Sequence, residues 1–175
     1  MTDETTESTA SKPEPEKKIK VLMAVFNPIE FDGRVKRAAE TLNNEFHVTL
    51  FCPVSMKATK LDLSDAIVIK RAWLLWKRWP TSLSLGMFWL QFIYLALVVR
   101  PRIIYNHDFY LPFTGLVAAK LLGECSIYDA HELIIPNPPL RMSLRDKIYY
   151  WLEKASVRNY DLVIAANHER AGLMK

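Results

Sequence analysis

Short apolar runs alternate with stretches of helical periodicity along this chain, and this alternation limits the possible folds more than any other feature. The first run, residues 19–26, is almost wholly apolar, as a strand buried on both faces must be. Apolar residues at helical spacing follow over about 34–44, and runs at 46–52 and 66–69 predict two more strands. Strands that alternate with helices favour a largely parallel sheet with helices on both faces. The predicted fold class is therefore α/β, a three-layer domain with a mostly parallel sheet.

The alternation continues in the second half of the chain. The elements predicted there are strands at 103–105, 126–129 and 162–166 and helices at 112–122 and 144–158. The sequence stops about two turns into a helix that would begin after the last of these strands. We therefore expect a domain at 19–175 that is incomplete at its carboxyl end.

Residues 1–18 are rich in Thr, Ser, Glu, Pro and Lys and lack an apolar pattern, which predicts a disordered tail. This tail carries five acids and three lysines, which leaves 14 acids and 20 bases, a net charge of +6, for the rest of the chain. Such an excess favours anionic partners, such as phosphates or an acidic membrane surface. No dense basic run with interleaved aromatic residues occurs, so nucleic acid is not an expected partner.

The cysteines and the amino terminus indicate in which cellular compartment the protein works. Cys52 and Cys125 share no metal-ligand or redox spacing, and each lies in or beside an apolar run. We expect both to be buried, reduced thiols of a cytoplasmic protein. The polar, acidic amino terminus lacks the charged and then apolar order of a signal peptide.

Residues 81–99 form a run of 19 residues without a charge, with basic residues on either side. By length alone this run could span a bilayer. A helix packed on the sheet is the favoured alternative, because polar residues dilute the run and a predicted strand follows almost at once. A third alternative is contact in the membrane plane through residues 73–99, which begin with tryptophans beside bases.

Three of the histidines follow an apolar run, and an acid follows each of them. The pairs are His107 and Asp108, His131 and Glu132, and His168 and Glu169. In open α/β sheets, ligands bind outside the carboxyl ends of the strands, where these pairs are predicted to lie. Helix capping is the alternative: it is favoured for His168, evenly balanced for His107, and less favoured for His131, which precedes a proline-rich loop. His47 lies inside a predicted strand and is expected to be structural.

The loop at 27–33 joins the first strand to the first helix, the usual phosphate-facing position in such folds. Gly33 is its only glycine, so the dinucleotide-binding pattern G-x-G-x-x-G is absent. A phosphate-binding P-loop, a nucleophile elbow, an Asp-x-Asp motif and a metal-ligand cluster are absent as well.

Several segments, in the same order along the chain, resemble the N-terminal domain of family 4 glycosyltransferases. They are the first loop and helix at 31–42, the Asn-His-Asp turn at 106–108, the Tyr-Asp-Ala-His-Glu segment at 128–132, and the helix and strand at 151–153 and 161–166. The resemblance extends from about residue 19 to the end. It implies a GT-B architecture, in which two Rossmann-like domains face a cleft, with this chain as the acceptor-side domain.

The same resemblance implies which ligands the protein binds and what its site residues do. A C-terminal domain missing from this chain would bind the nucleotide-sugar donor, and transfer would be retaining and would need no metal. No cofactor is expected in this domain. His131 would be catalytic and face the transferred sugar, and Gly33 would let the first loop approach the donor phosphates. The other residues predicted to bind substrate are Arg34, His107, Asp108 and Glu132.

Glycosyl transfer passes through an oxocarbenium-like state, and a histidine at a strand end can orient sugar hydroxyls or take the acceptor proton. Which of these His131 does stays open. The leading hypothesis is the acceptor-binding half of a glycosyltransferase that acts on a glycan, lipid or small molecule, possesses no activity as this piece alone, and works in the cytoplasm or at the inner face of the membrane. The alternatives are a non-catalytic binding or scaffolding module of the same fold and a membrane protein with one span at 81–99.

Overall fold

The computed structural model describes residues 18–54, 62–73, 80–130 and 143–166. The strands are β1 Lys20–Ala24, β2 His47–Pro53, β3 Val68–Ala72, β4 Ile103–His107, β5 Cys125–Ala130 and β6 Leu162–Ala165. The helices are α1 Gly33–Asn43, α2 Thr81–Val99, α3 Pro112–Leu122 and α4 Leu144–Val157, and a short 3₁₀ turn at Ile29–Phe31 precedes α1. The predicted disorder of the amino-terminal tail lies outside the described residues, except at Lys18.

The described strands form one sheet in the order β3-β2-β1-β4-β5-β6. All neighbouring strands are parallel. The chain starts at the centre with β1, runs outward to β3, and returns to β4 on the other side of β1. The prediction of a parallel α/β, Rossmann-like domain is therefore confirmed.

Helices cover both faces of the sheet, because alternate residues of each strand point to opposite sides. Val21 and Met23 of β1 pack on the side of α1, whereas Leu22 and Ala24 pack on the side of α2 and α3. Helix α4 packs beside α3. The result is the three-layer arrangement that the sequence predicts.

Helix α2 packs on the sheet, as the favoured alternative for this uncharged run requires. Its buried residues are Leu85, Phe88, Phe92 and Ala96. The opposite face is apolar but exposed, with Leu83, Leu90, Tyr94, Leu97 and Val98. Residues 82–99 have a mean hydropathy of 1.9 and are 28% buried, so by length and composition this helix could also cross a membrane.

Some expectations differ from the structure. Strand β3 lies at Val68–Ala72, so it begins and ends later than predicted. It extends past residue 69 because its charged residue Arg71 is accommodated by an ion pair with Glu30. Cys125 is exposed rather than buried, since it begins β5 at the amino edge of the sheet. Cys52 is buried as predicted, and burial raises the pKa of its thiol to about 11.

Candidate functional site

The candidate site lies where β1 and β4 end side by side. The chain leaves these two neighbouring strands toward opposite faces of the sheet, toward α1 after β1 and toward α3 after β4, which opens a crevice at the carboxyl edge. Asn27, after β1, donates a hydrogen bond from Nδ2 to Oδ2 of Asp108, after β4, at 3.3 Å. The two loops are thus joined across the crevice.

Asp108 has a strained backbone at this position. Its φ is 70°, a left-handed conformation that non-glycine residues seldom adopt, and its side chain is buried. Such a conformation costs about 1–3 kcal/mol and persists only where the surroundings enforce it. The Asp108 carbonyl accepts a hydrogen bond from the Leu111 amide at 3.2 Å, which holds the turn into α3. Strain of this kind is concentrated at binding and catalytic sites, which supports a functional role for this turn.

His107 is fully buried at the end of β4. Its Nδ1 lies 3.5 Å from Oδ2 of Asp129, its register partner on β5. The Tyr105 hydroxyl donates to the same oxygen at 3.2 Å, and the rings of Tyr105 and His107 lie 4.4 Å apart. Burial and the Asp129 carboxylate both raise the pKa of Tyr105, so its hydroxyl stays protonated and remains a donor. Asp129 therefore fixes both side chains.

The loop after β1 is closed by a helix cap. Oδ1 of Asp32 accepts hydrogen bonds from the amides of Arg34 and Val35, at 3.2 and 3.0 Å. Gly33 begins α1, and a Cβ added to it would meet only Nη1 of Arg37, at 3.5 Å. That distance is an ordinary van der Waals contact, so the fold itself does not demand glycine at this position.

An ion pair anchors the same loop to the neighbouring strands. Nη2 of Arg71, on β3, lies 2.6 Å from Oε1 of Glu30, whose side chain is 5% exposed. Nη1 of Arg71 also donates to the Pro53 carbonyl at the end of β2, at 3.0 Å. The first loop is thereby tied to two strand ends and held in one place at the edge of the crevice.

Residues of the segments that carry the sequence resemblance make side-chain hydrogen bonds in the half of the sheet beyond β4. The Tyr128 hydroxyl donates to Oε1 of Glu153 at 2.6 Å, which fastens α4 to β5. Burial raises the pKa of the Glu153 carboxyl, and the Tyr128 hydrogen bond partly offsets this. The Ser126 amide and hydroxyl donate to Oδ2 of Asp161 at 2.8 and 2.7 Å, and these bonds lower the pKa of Asp161. These pairs are structural ties, which hold the strand that leads toward the site.

The structure brings some of the predicted site residues together. Asp108 meets the first loop through Asn27, whereas Gly33 and the exposed Arg34 lie at the start of α1. His131 and Glu132 lie outside the described residues. The strand that precedes them, β5, ends at Ala130, at the same edge of the sheet. The pair His168 and Glu169 is also outside the described residues.

Sequence reasoning missed several residues of this site. Asn27 is the residue that joins the two loops, and its position after the first apolar run was the available signal. Asp129 fixes His107, and only strand register reveals this partnership. Among the described residues, no group of three or more His, Cys, Asp or Glu side chains could hold a metal ion.

Comparison with known proteins gives similarity in structure but not in sequence. No protein-family model matches the chain, and no curated protein matches it. Among solved structures, sucrose-phosphate synthase from Thermosynechococcus elongatus matches with a TM-score of 0.71 and 14% identity, over 90% of this chain and 44% of that one. A Glycyrrhiza uralensis protein, UGT73P12, solved with glycyrrhetinic acid 3-O-monoglucuronide, matches with a TM-score of 0.60 and 14% identity, over 90% and 45%. UDP-N-acetylglucosamine 2-epimerase from Rickettsia bellii matches with a TM-score of 0.58 and 11% identity, over 90% and 41%.

These similarities show the fold. The chain has the Rossmann-like α/β fold of one domain of GT-B proteins. It spans less than half the length of these three solved chains.

Proposed function

We propose that this chain is the acceptor-side domain of a retaining, family 4 glycosyltransferase, which transfers a sugar from a nucleotide-sugar donor to an acceptor. A second, donor-binding domain completes the cleft, so residues 1–175 alone have no transferase activity. The observation that carries the proposal is the crevice between β1 and β4, where Asn27 ties the strained Asp108 turn to the first loop. The ordered motif series and the GT-B-like fold support it.

In this proposal each of the predicted site residues has a separate role. Gly33 and Arg34 face the donor phosphates, with Gly33 offering its amide without a side chain in the way. His131 faces the transferred sugar, and Glu132 binds substrate beside it. Asp108 contacts the acceptor. His107, which is fully buried, holds the Asp108 turn in place through its contact with Asp129. In the transfer the bond between the sugar and the nucleotide phosphate breaks and a bond to the acceptor oxygen forms, and the proposal assigns no metal or cofactor to this domain.

Gly33→Ala tests the proposed approach of the first loop to the donor. The fold tolerates the new Cβ, so the melting temperature should be unchanged or slightly higher. A methyl group between loop and phosphates should lower kcat/KM for sugar transfer by about tenfold or more, roughly 1.4 kcal/mol. The measurement is steady-state transfer by the full natural protein.

The control is Glu40→Ala, at an exposed position farther along α1 and away from the first loop. It should leave sugar transfer unchanged. Wild-type kcat/KM in the Gly33→Ala variant would contradict the proposed role of the first loop.

Peripheral attachment to the inner face of the membrane is the proposed setting of the reaction. The observation that favours it is the exposed apolar face of α2, together with Trp73, which is 73% exposed. This face would lie in the membrane plane while the buried face stays on the sheet. Carbonate extraction should release the protein from membranes, because α2 contributes to the domain core. Retention after carbonate treatment would favour the span at 81–99 instead.

A further inference from the structure

The outer face of α4 exposes a tryptophan next to two basic side chains. The side chain of Trp151 is 66% exposed, although an aromatic side chain of this size normally belongs to a core or an interface. Lys154 and Arg158 follow it at helical spacing, and both are exposed. The three side chains therefore lie on one stripe of the helix, opposite the buried Tyr149 and Glu153.

An open hollow lies on this stripe, and its volume is about 430 Å³. Among the described residues it is lined by Trp151, Lys154, Ala155, Arg158 and Asn159. Because two positive charges stand beside the indole ring, the hollow suits an anionic group better than a neutral one.

The charge of this hollow is not neutralised by the described acids. Neither Lys154 nor Arg158 lies within ion-pair distance of a carboxylate in the part of the chain that the structure describes. Glu153, the acid nearest to them in α4, is buried on the other side of the helix. Asp161, which follows the helix, accepts two hydrogen bonds from Ser126. The described surface around the hollow is therefore positive.

The same side of the molecule carries the exposed apolar face of α2. Helices α2, α3 and α4 form one layer, because α3 packs against both of the others. Each helix runs from the carboxyl edge of the sheet to its amino edge, so the outer faces of all three point away from the sheet in the same direction. Leu90 and Tyr94 of α2 and Phe113 and Leu121 of α3 are exposed there. Apolar and basic side chains thus share one outward surface.

This composition matches the interface of a bilayer. Apolar side chains enter the acyl boundary, tryptophan favours the level of the head groups, and bases contact anionic lipids. The opposite side of the sheet differs, because α1 exposes Arg34, Arg37 and Glu40 but no large apolar side chain. The domain therefore has one side whose chemistry complements an anionic membrane.

We propose that the hollow on α4 receives the anionic head group of a membrane lipid, so that the protein binds anionic membranes in preference to neutral ones. The exposed face of α2 supplies apolar contact whatever the charge of the lipid, whereas Trp151, Lys154 and Arg158 supply the preference. This inference rests on the proposed membrane attachment and names its lipid partner, but it does not depend on sugar transfer.

Cosedimentation of the full natural protein with vesicles tests the preference. The two probes are vesicles of phosphatidylcholine alone and vesicles in which phosphatidylglycerol replaces about one third of it. We expect at least about tenfold tighter binding to the anionic vesicles, because the two bases contact anionic head groups. Added salt should reduce the difference, since both bases are exposed.

Variants of α4 test whether the hollow is the source of the preference. Arg158→Gln should weaken binding to the anionic vesicles by about fivefold, and the addition of Lys154→Gln should bring the loss to about tenfold or more. Binding to the neutral vesicles should stay unchanged. Arg158→Lys, which keeps the charge, should bind like the wild type.

The matched control is Arg37→Gln, which removes one base from an exposed position of α1 on the other side of the sheet. It should bind both kinds of vesicle like the wild type. The melting temperatures of these variants should change little, because the replaced side chains are exposed.

Equal binding to the two kinds of vesicle, or full binding of anionic vesicles by the double variant, would overturn this inference and leave the membrane attachment in place. Absence of binding to either kind would overturn both. A dimer in solution that Trp151→Ala separates would assign this face to a second copy of the chain, contrary to the proposal. A lipid preference in a protein that transfers no sugar would leave this inference standing while the proposed transferase function fails.

Discussion

Replacing His131 with alanine should lower kcat for sugar transfer by about 10²–10⁴, the range for a lost proton-transfer group, with a smaller fall if the imidazole only orients the sugar. His131 directly follows Ala130, the last residue of β5, at the edge where the strained Asp108 turn and the first loop meet. The proposed role of His131 is to reach the sugar as the oxocarbenium-like charge develops. Steady-state kinetics of the full natural protein measure the effect.

His47→Ala is the matched control for this prediction. His47 is exposed and begins β2, at the opposite edge of the sheet from the proposed site. It should leave both kcat and KM unchanged. Equal activity of the His131→Ala variant and the wild type would remove His131 from the catalytic machinery.

Gly115→Ala should lower the free energy of unfolding by roughly 2–4 kcal/mol, from overpacking and damage to a buried hydrogen bond. Gly115, in α3, lies so close to β4 that an added Cβ would overlap the Asn106 carboxamide. Asn106 is fully buried, and its Nδ2 donates to the Tyr160 hydroxyl at 3.2 Å. That hydroxyl in turn donates to the Pro112 carbonyl at 2.6 Å, so the carboxamide cannot move without disturbing the start of α3.

Chemical denaturation of the wild type and of the Gly115→Ala variant measures this difference in the free energy of unfolding. Gly86→Ala makes the same chemical change inside α2, where nothing lies within 4 Å of the new Cβ. It should stabilise the protein by about 0.5–1 kcal/mol through helix propensity alone. Equal stability of the Gly115→Ala and Gly86→Ala variants would contradict the close packing of α3 on β4.

The order of strands and helices was predictable from the sequence, because strands buried on both faces appear as apolar runs. The boundaries were less predictable where polar residues are buried. Asn106 and His107 extend β4 past the predicted end at residue 105, since both are accommodated by partners from other elements. Arg71 extends β3 in the same way through its ion pair with Glu30.

The candidate site was predictable only in outline. His107 and Asp108 were singled out because they follow a strand, and the structure places Asp108 against the first loop. The partners Asn27 and Asp129 come from other strands, and their positions depend on register and strand order. Pairing across a sheet is a long-range property, which local sequence patterns do not encode.

The most direct measurement is sugar transfer by the full natural protein, supplied with a panel of nucleotide sugars and a panel of glycan, lipid and small-molecule acceptors, with the anomeric configuration of the product determined by NMR. The proposal predicts turnover that releases the nucleotide, depends on His131, and retains the configuration of the donor sugar. Binding of donor and acceptor without turnover on any sugar of the panel would contradict the glycosyltransferase assignment and favour a non-catalytic binding module.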